Sequence, residues 1–259
     1  LKSGLHLWLC RADRKLGYAA PRAKEGSALA AREHVTLPAE PIHRADAGLL
    51  MVGLLLGQQV AKPEGPLLTV SDGARAGATA FLDTHPLREG PLVFLAPGTS
   101  EFAAFKRWPG DSFAGLATML ASGGFRVVLG SGPGEEALTR AIQQAAPEVP
   151  TLHASGAELG LPTYLALLAE VDLVVAADSG PLHMSQSLGT PAVALFGPKD
   201  PTVYGPRLAA SRVLRYPVPC APCGRRSCDA PLCVQAIPPQ AVLAEISDLL
   251  KPTDREQAS

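Results

Sequence analysis

Residues 171–201 read VDLVVAADSGPLHMSQSLGTPAVALFGPKDP, and this stretch decides the fold class. The apolar, β-branched run at 171–177 predicts a buried strand. Asp178, Ser179, Gly180 and Pro181 predict a tight turn, and a short helix follows through Leu188. Gly189, Thr190 and Pro191 break that helix before a second apolar strand at 192–196. Parallel strands joined by a helix present their ligand site at the strand C-termini, where the helix N-terminus offers free N–H groups to an anion. The stretch therefore has the outline of a phosphate site.

The same alternation extends upstream, with strands predicted at 92–96, 126–129 and 149–153 and helices at 111–122, 134–146 and 161–169. Strands and helices at this spacing predict a parallel sheet covered on both faces, so residues 91–204 read as a Rossmann-like α/β domain. Between 58 and 90, prolines and glycines recur around one modest helix at 72–83, which reads as an interdomain connection. Residues 43–57 predict a helix with leucines on most sides, implying burial against something larger. The rest of residues 1–60 reads like the tail of a domain, with one apolar segment at 5–10. Residues 206–233 are loop-rich, and 238–250 predicts a closing helix with Pro239 in its first turn.

Composition narrows the function classes. The 259 residues are 47% apolar and 18% charged, an ordinary globular balance, and the net charge of −1 offers no polyanion-binding surface. Nucleic acid is not an expected partner. The longest uncharged apolar run of the first third, 47–57, is about half of the ~20 residues a membrane span needs. No leader pattern opens the chain, and Leu1 stands where a Met would, so the natural N-terminus is expected upstream. Five cysteines, with Cys10 alone and the rest between 220 and 233, fit a cytosolic protein better than a disulfide framework.

Three loops and the cysteines carry candidate chemistry. In the turn at 178–183, Gly180 permits close backbone approach and His183 lies in the first helical turn beside the free N–H groups. Capping by Asp178 or Ser179 is the plain structural alternative. A carboxylate at a phosphate site needs a neutral or cationic partner, for which a sugar hydroxyl or Lys106 would serve; His183 could be a ligand contact or a structural histidine. In APGTSEFAAFKRWP, residues 96–109, Thr99 and Ser100 supply hydroxyls and Lys106 a point charge, a set suited to a diphosphate leaving group. Arg107 and Trp108 read as packing residues at the next helix. The glycines of LGSGPGEEALTR, residues 129–140, match neither a G-x-x-x-x-G-K-[ST] loop nor a clean G-x-G-x-x-G, which excludes an ordinary kinase or dehydrogenase. Glu135 or Glu136 could meet ribose hydroxyls or simply favour the helix dipole. Cys220, Cys223, Cys228 and Cys233 have ligands enough for a structural zinc but not the paired C-x2-C spacing of a ribbon; a redox pair and reduced structural thiols stay open.

Together these motifs resemble glycosyltransferase family 9, the ADP-heptose:lipopolysaccharide heptosyltransferases. The resemblance rests on residues 97–100 with 106–109, then 178–183, 189–191 and 195–201, and it covers roughly 91–250. It implies an α/β fold of the GT-B type, here one complete Rossmann-like C-terminal domain with a partial N-terminal one. The expected division is an N-terminal, acceptor-side remnant at 1–62, a linker at 63–90, the nucleotide-sugar domain at 91–250 and a flexible tail at 251–259. The implied activity is inverting transfer of a sugar, heptose from ADP-heptose, to a lipopolysaccharide core-type acceptor, with no cofactor and no metal in the chemistry. Carried over by position, Thr99, Ser100, Lys106, Ser179, Gly180 and Pro181 hold the diphosphate, Asp178 the sugar, Glu135 the ribose and Leu159 the adenine. His183 sits beside the phosphates, and Lys106 and Asp178 are the candidate catalytic residues. The implied partners are an ADP-sugar and a lipid-linked saccharide, in the cytoplasm or at the cytoplasmic face of the inner membrane.

Two departures stand out. The spacing from Ser100 to Lys106 is longer than usual for the family. The first strand and glycine-rich loop that carry the family's general base have no counterpart, so the alternative expectation is a silent nucleotide-sugar-binding module. A related epimerase or hydrolase is a third reading.

Overall fold

The computed structural model describes residues 2–20, 23, 27–84 and 89–251. The tail expected over 251–259 lies, beyond Lys251, outside the described residues. The chain divides into two compact units, Leu1–Glu64 with Thr202–Tyr204, and Gly65–Pro201 with Gly205–Ser259.

The first unit contains α1 (Lys2–Leu9), β1 (Leu16–Tyr18), α2 (Ser27–Ala30), β2 (Glu33–Val35) and α3 (Arg44–Leu56). The two strands pair in parallel, Leu16 opposite Glu33 and Tyr18 opposite Val35. Arg14 joins β2 to the end of α3: its Nε donates to Glu33 Oε1 at 2.8 Å and its Nη1 to the Leu55 carbonyl at 2.7 Å. Helix α3 starts on His43, whose Nδ1 accepts from the Ala45 N–H at 3.2 Å, and stops at Gly57. Expected to be buried on most sides, α3 buries only Ala47 and leaves Leu50, Val52, Leu55 and Leu56 exposed. Two three-residue strands and two short helices offer too little surface to cover a helix that is apolar all round.

The second unit runs α4 (Asp72–Asp83), β3 (Leu92–Ala96), a 3-10 helix (Glu101–Lys106), α5 (Gly110–Ser122), β4 (Arg126–Ser131), α6 (Glu136–Ala145) and β5 (Thr151–Ser155). It continues through α7 (Gly156–Glu170), β6 (Leu173–Ala177), α8 (Gly180–Leu188), β7 (Ala192–Leu195), α9 (Pro201–Tyr204), β8 (Arg212–Leu214), α10 (Leu232–Gln235) and α11 (Pro239–Leu249), although Thr202–Tyr204 of α9 cluster with the first unit. The strands form one parallel sheet in the order β5-β4-β3-β6-β7-β8. The chain builds outward from β3 to β5, then returns to the other side of β3 to lay down β6. This leaves a topological switch point between β3 and β6, where the crevice beyond the strand ends is the natural ligand site.

Period-two burial builds the two faces. Val93, Leu95, Val127, Leu129, Val175, Val193 and Leu195 pack with Trp108 and with Phe113, Leu116 and Leu120 of α5, Ile142 of α6, and Val242 and Ile246 of α11. Trp108 stacks edge-on against Phe113 at 4.8 Å, and its buried indole N–H donates to the Ile237 carbonyl at 2.9 Å. On the opposite face Phe94 meets Tyr164 of α7 edge-on at 5.6 Å.

The segment read as a linker departs from that expectation. Ser71 caps α4 by accepting from the Ala74 N–H at 3.3 Å, Ala74 and Ala78 are buried, and Arg75 pairs with Glu170 at the end of α7. Leu67 and Leu68 donate their N–H groups to the Ser187 carbonyl at 2.7 and 2.9 Å. Small residues let α4 lie close to α7, and small residues are also what made the stretch look like a connection.

Candidate functional site

The crevice at the switch point holds a cavity of about 390 Å³, within the range of small-molecule sites. It is lined from the β3 loop by Gly98, Thr99, Ser100 and Lys106, from the β4 loop by Gly132 and Glu135, and from the β6 turn by Asp178, Ser179, Gly180 and Pro181. The predicted Thr99, Ser100, Lys106, Glu135, Asp178, Ser179, Gly180 and Pro181, from three separate loops, therefore meet in one place. Leu159 and His183 do not line it; Leu159 is half-buried in the first turn of α7, and His183 is half-exposed in the first turn of α8.

Lys106 and Asp178 lie 72 positions apart in sequence and form the charged centre. The Lys106 ammonium donates to Asp178 Oδ2 at 2.5 Å and reaches the Asp178 carbonyl at 3.4 Å. His183 Nε2 lies 3.4 Å from the other carboxylate oxygen, Oδ1. The Lys106 and Asp178 side chains are only 15% and 10% exposed, so water screens their attraction little. Burial works to raise the Asp178 carboxyl, but hydrogen bonds and charge from His183 and Lys106 outweigh it and hold the group below the ordinary carboxylate range.

The long spacing between Ser100 and Lys106 is taken up by the 3-10 helix over Glu101–Lys106, which returns the lysine to the cavity. Arg107, expected as a packing residue, clamps this loop. Its Nε donates to Thr99 Oγ1 at 3.1 Å and its Nη2 to the Thr99 carbonyl at 2.6 Å. The Thr99 hydroxyl donates in turn to the Ala103 carbonyl at 3.0 Å, so Thr99 holds the loop's shape. No sequence pattern announces a clamp on a carbonyl. Trp108, as expected, is a buried packing residue at the start of α5.

At the β6 turn, Ser179 stands at the N-cap position of α8 without capping it, and its hydroxyl is buried with no hydrogen-bond partner. A buried hydroxyl without a protein partner is costly, and this one belongs to a residue that lines the cavity. Pro181 sits in the first turn of α8, where its missing N–H costs nothing. Across the cavity, Glu135 accepts from the Gly132 N–H at 2.8 Å and lies directly over Gly98. A Cβ at Gly98 would stand 1.8 Å from Glu135 Oε2, so only glycine allows this approach.

Sequence reasoning missed Leu161 and Tyr164, which complete the wall beside Gly156. Their placement follows from a break in α7: Gly160 takes a left-handed φ of 71°, which separates a first turn from the helix that starts at Leu161. Burial, with the Glu135 charge, pushes the Tyr164 phenol above its ordinary value, so it stays a neutral hydroxyl.

The cysteines make no comparable site. All five are free, Cys233 is buried, and burial with the neighbouring Cys223, Cys220 and Cys228 pushes its thiol up. Among the described residues no group of three or more His, Cys, Asp or Glu side chains could hold a metal ion, so the geometry does not support the possible zinc site. Nor is any helix among them long and apolar enough to cross a membrane.

Lipopolysaccharide heptosyltransferase 2 of Salmonella typhimurium is 33% identical over 172 residues, 66% of this chain and 48% of its own length. Its Escherichia coli counterpart is 31% identical over 172 residues with the same coverage, 66% and 48%. The chain thus spans about half the length of the curated relatives it matches. Among solved structures, Escherichia coli ADP-heptose LPS heptosyltransferase II matches with a TM-score of 0.60 at 27% identity, over 77% of this chain and 57% of that one. A glycosyl transferase of family 9 from Veillonella parvula shares the fold with a TM-score of 0.75 at 23% identity, over 96% of this chain and 70% of that one. The model of glycosyltransferase family 9 (heptosyltransferase) matches residues 1–233, through both units and all the cavity loops, and the chain belongs to that family.

Proposed function

We propose that the second unit is the donor half of an inverting glycosyltransferase that binds ADP-heptose and transfers heptose to a lipopolysaccharide core-type acceptor. The observation that carries this reading is the convergence at the switch point of a buried lysine, a carboxylate and an unpaired serine hydroxyl at a helix N-terminus. Displacement at the anomeric carbon needs a base for the acceptor proton and stabilisation of the departing diphosphate. Lys106 and the free N–H groups at the start of α8 suit the second task, because negative charge grows on the leaving oxygen as the bond breaks. Each charge-assisted hydrogen bond of this kind is worth about 1.5–3 kcal/mol. Asp178 accepts sugar hydroxyls, and Glu135 accepts from the ribose.

The names of the relatives support the choice of sugar and acceptor. Five free thiols favour a reducing compartment, and we place the protein in the cytoplasm, meeting its lipid-linked acceptor at the inner membrane. Calorimetry with ADP and ADP-heptose, followed by a transfer assay with the lipid acceptor, tests the proposal. Binding of both nucleotides with transfer is the expected result. Binding without transfer would mark a nucleotide-sugar-binding module, and no binding would remove the donor-site reading.

A further inference from the structure

Building on that donor-site reading, we propose that Asp178 discriminates a sugar-esterified diphosphate from the free nucleoside diphosphate and so drives product out of the cavity. The argument is one of charge. A diphosphate esterified at both ends has no terminal phosphate, whereas a free nucleoside diphosphate ends in a phosphate whose second ionisation, near pH 6, adds about one further negative charge at neutrality. That charge appears in the transfer step itself. The bond from the anomeric carbon to the phosphate oxygen breaks, its electron pair leaves with the oxygen, a bond forms to the acceptor oxygen, and the acceptor proton passes to a base.

Asp178 stands where that charge develops. Its carboxylate lies within hydrogen-bond reach of Lys106 Nζ, the cation proposed for the diphosphate, and its side chain is 10% exposed. It immediately precedes Ser179, whose buried hydroxyl is unpaired, at the opening of α8. With a sugar attached, hydroxyl groups face the carboxylate, which accepts their hydrogen bonds. Once the sugar has gone, the same carboxylate faces the extra charge in a place that water screens poorly, and the two repel. Lys106 must serve both anions at once, and His183, the other group facing the carboxylate at 3.4 Å, is 51% exposed and reaches it from the solvent side. Glu135, the other carboxylate lining the cavity, is held at the Gly132 N–H across the crevice and meets both ligands alike.

The test is calorimetry at neutral pH with ADP, the β-methyl ester of ADP and ADP-heptose, on the wild-type chain, Asp178→Asn and Glu135→Gln. The wild type is expected to bind the β-methyl ester about tenfold more tightly than ADP, and Asp178→Asn to abolish that preference by tightening ADP. Glu135→Gln is expected to weaken all three ligands by a similar factor and keep the preference. Equal affinity of the wild type for ADP and its methyl ester overturns the inference, as does a preference that survives in Asp178→Asn. Should Asp178→Asn fail to fold, the two wild-type affinities decide by themselves. Binding of none of the three probes overturns the donor-site reading instead.

Discussion

Two regions of this chain concentrate reactive side chains, and they behave in opposite ways. Lys106 and Asp178 are 72 positions apart and make direct contact, whereas Cys220, Cys223, Cys228 and Cys233 are near neighbours in sequence and do not gather into a ligand set. The pair comes from the segments that follow β3 and β6, adjacent strands whose register places Ala96 opposite Ala176. The sheet brings such loops together whatever the length of chain between them. The cysteine segment is anchored through its backbone instead: Cys223 and Gly224 donate to the Pro198 carbonyl at 3.0 and 2.8 Å, and Tyr216 donates to the Cys233 carbonyl at 3.0 Å. These bonds fix the path of the chain through its backbone. Density of chemistry in sequence is thus a weaker guide to a site than position relative to a switch point.

The contrast can be broken most decisively at Lys106. Lys106→Ala should weaken ADP about a hundredfold by calorimetry, since it removes the only ammonium lining the cavity among the described residues; unchanged affinity would mean that the contact with Asp178 is structural. Gly98→Ala comes next, because the added methyl would displace the Glu135 carboxylate. The clashing atoms are the far end of a flexible, half-buried side chain that can swing away, so the loss in urea unfolding should be about 1 kcal/mol, the worth of the Glu135 contact with the Gly132 N–H that is given up. Removing the clamp in Arg107→Ala should loosen Lys106 and cost about tenfold in ADP affinity, with a smaller loss in Arg107→Lys only if one donor suffices.

Acid unfolding sharpens the same contrast more gently. A carboxyl held below its unfolded value binds fewer protons when folded, so its stabilisation is present above the unfolded value and is lost as pH falls through the folded one. Unfolding free energies measured on the acid side should therefore fall less steeply for Asp178→Asn than for the wild type. The smallest effect is expected from the cysteines: a chelator should move the melting temperature by less than about 1 °C, and a larger shift would show that the thiols do gather around a metal.

What was legible in the sequence follows the same division. Central parallel strands are buried on both faces, so β3, β6 and β7 are uninterrupted apolar runs that can be read directly, and the turns that follow them were readable by position. The 3-10 helix before Arg107 is too short to show a period, and so is β8, whose three residues Arg212–Leu214 include no fully buried side chain. Helix α4 reads as part of a linker because glycine and alanine suit both a loose connection and a close helix contact. Arg107 was misjudged for a different reason: its partners are a hydroxyl and a carbonyl eight positions back, and nothing in residue type distinguishes that from packing. Leu161 and Tyr164 were missed because the wall they form depends on one backbone angle at Gly160.

That angle at Gly160 also bears on how such proteins diversify. The turn Gly156–Leu159 hangs between a strand end and a swivel, while the helix beyond it is locked into the sheet by Ala166, Leu167 and Leu168, each fully buried. Of the residues before the swivel only Gly156 lines the cavity, whereas Tyr164 beyond it is at once pocket wall and the buried partner of Phe94, so ligand choice and foldability are tied together on this helix.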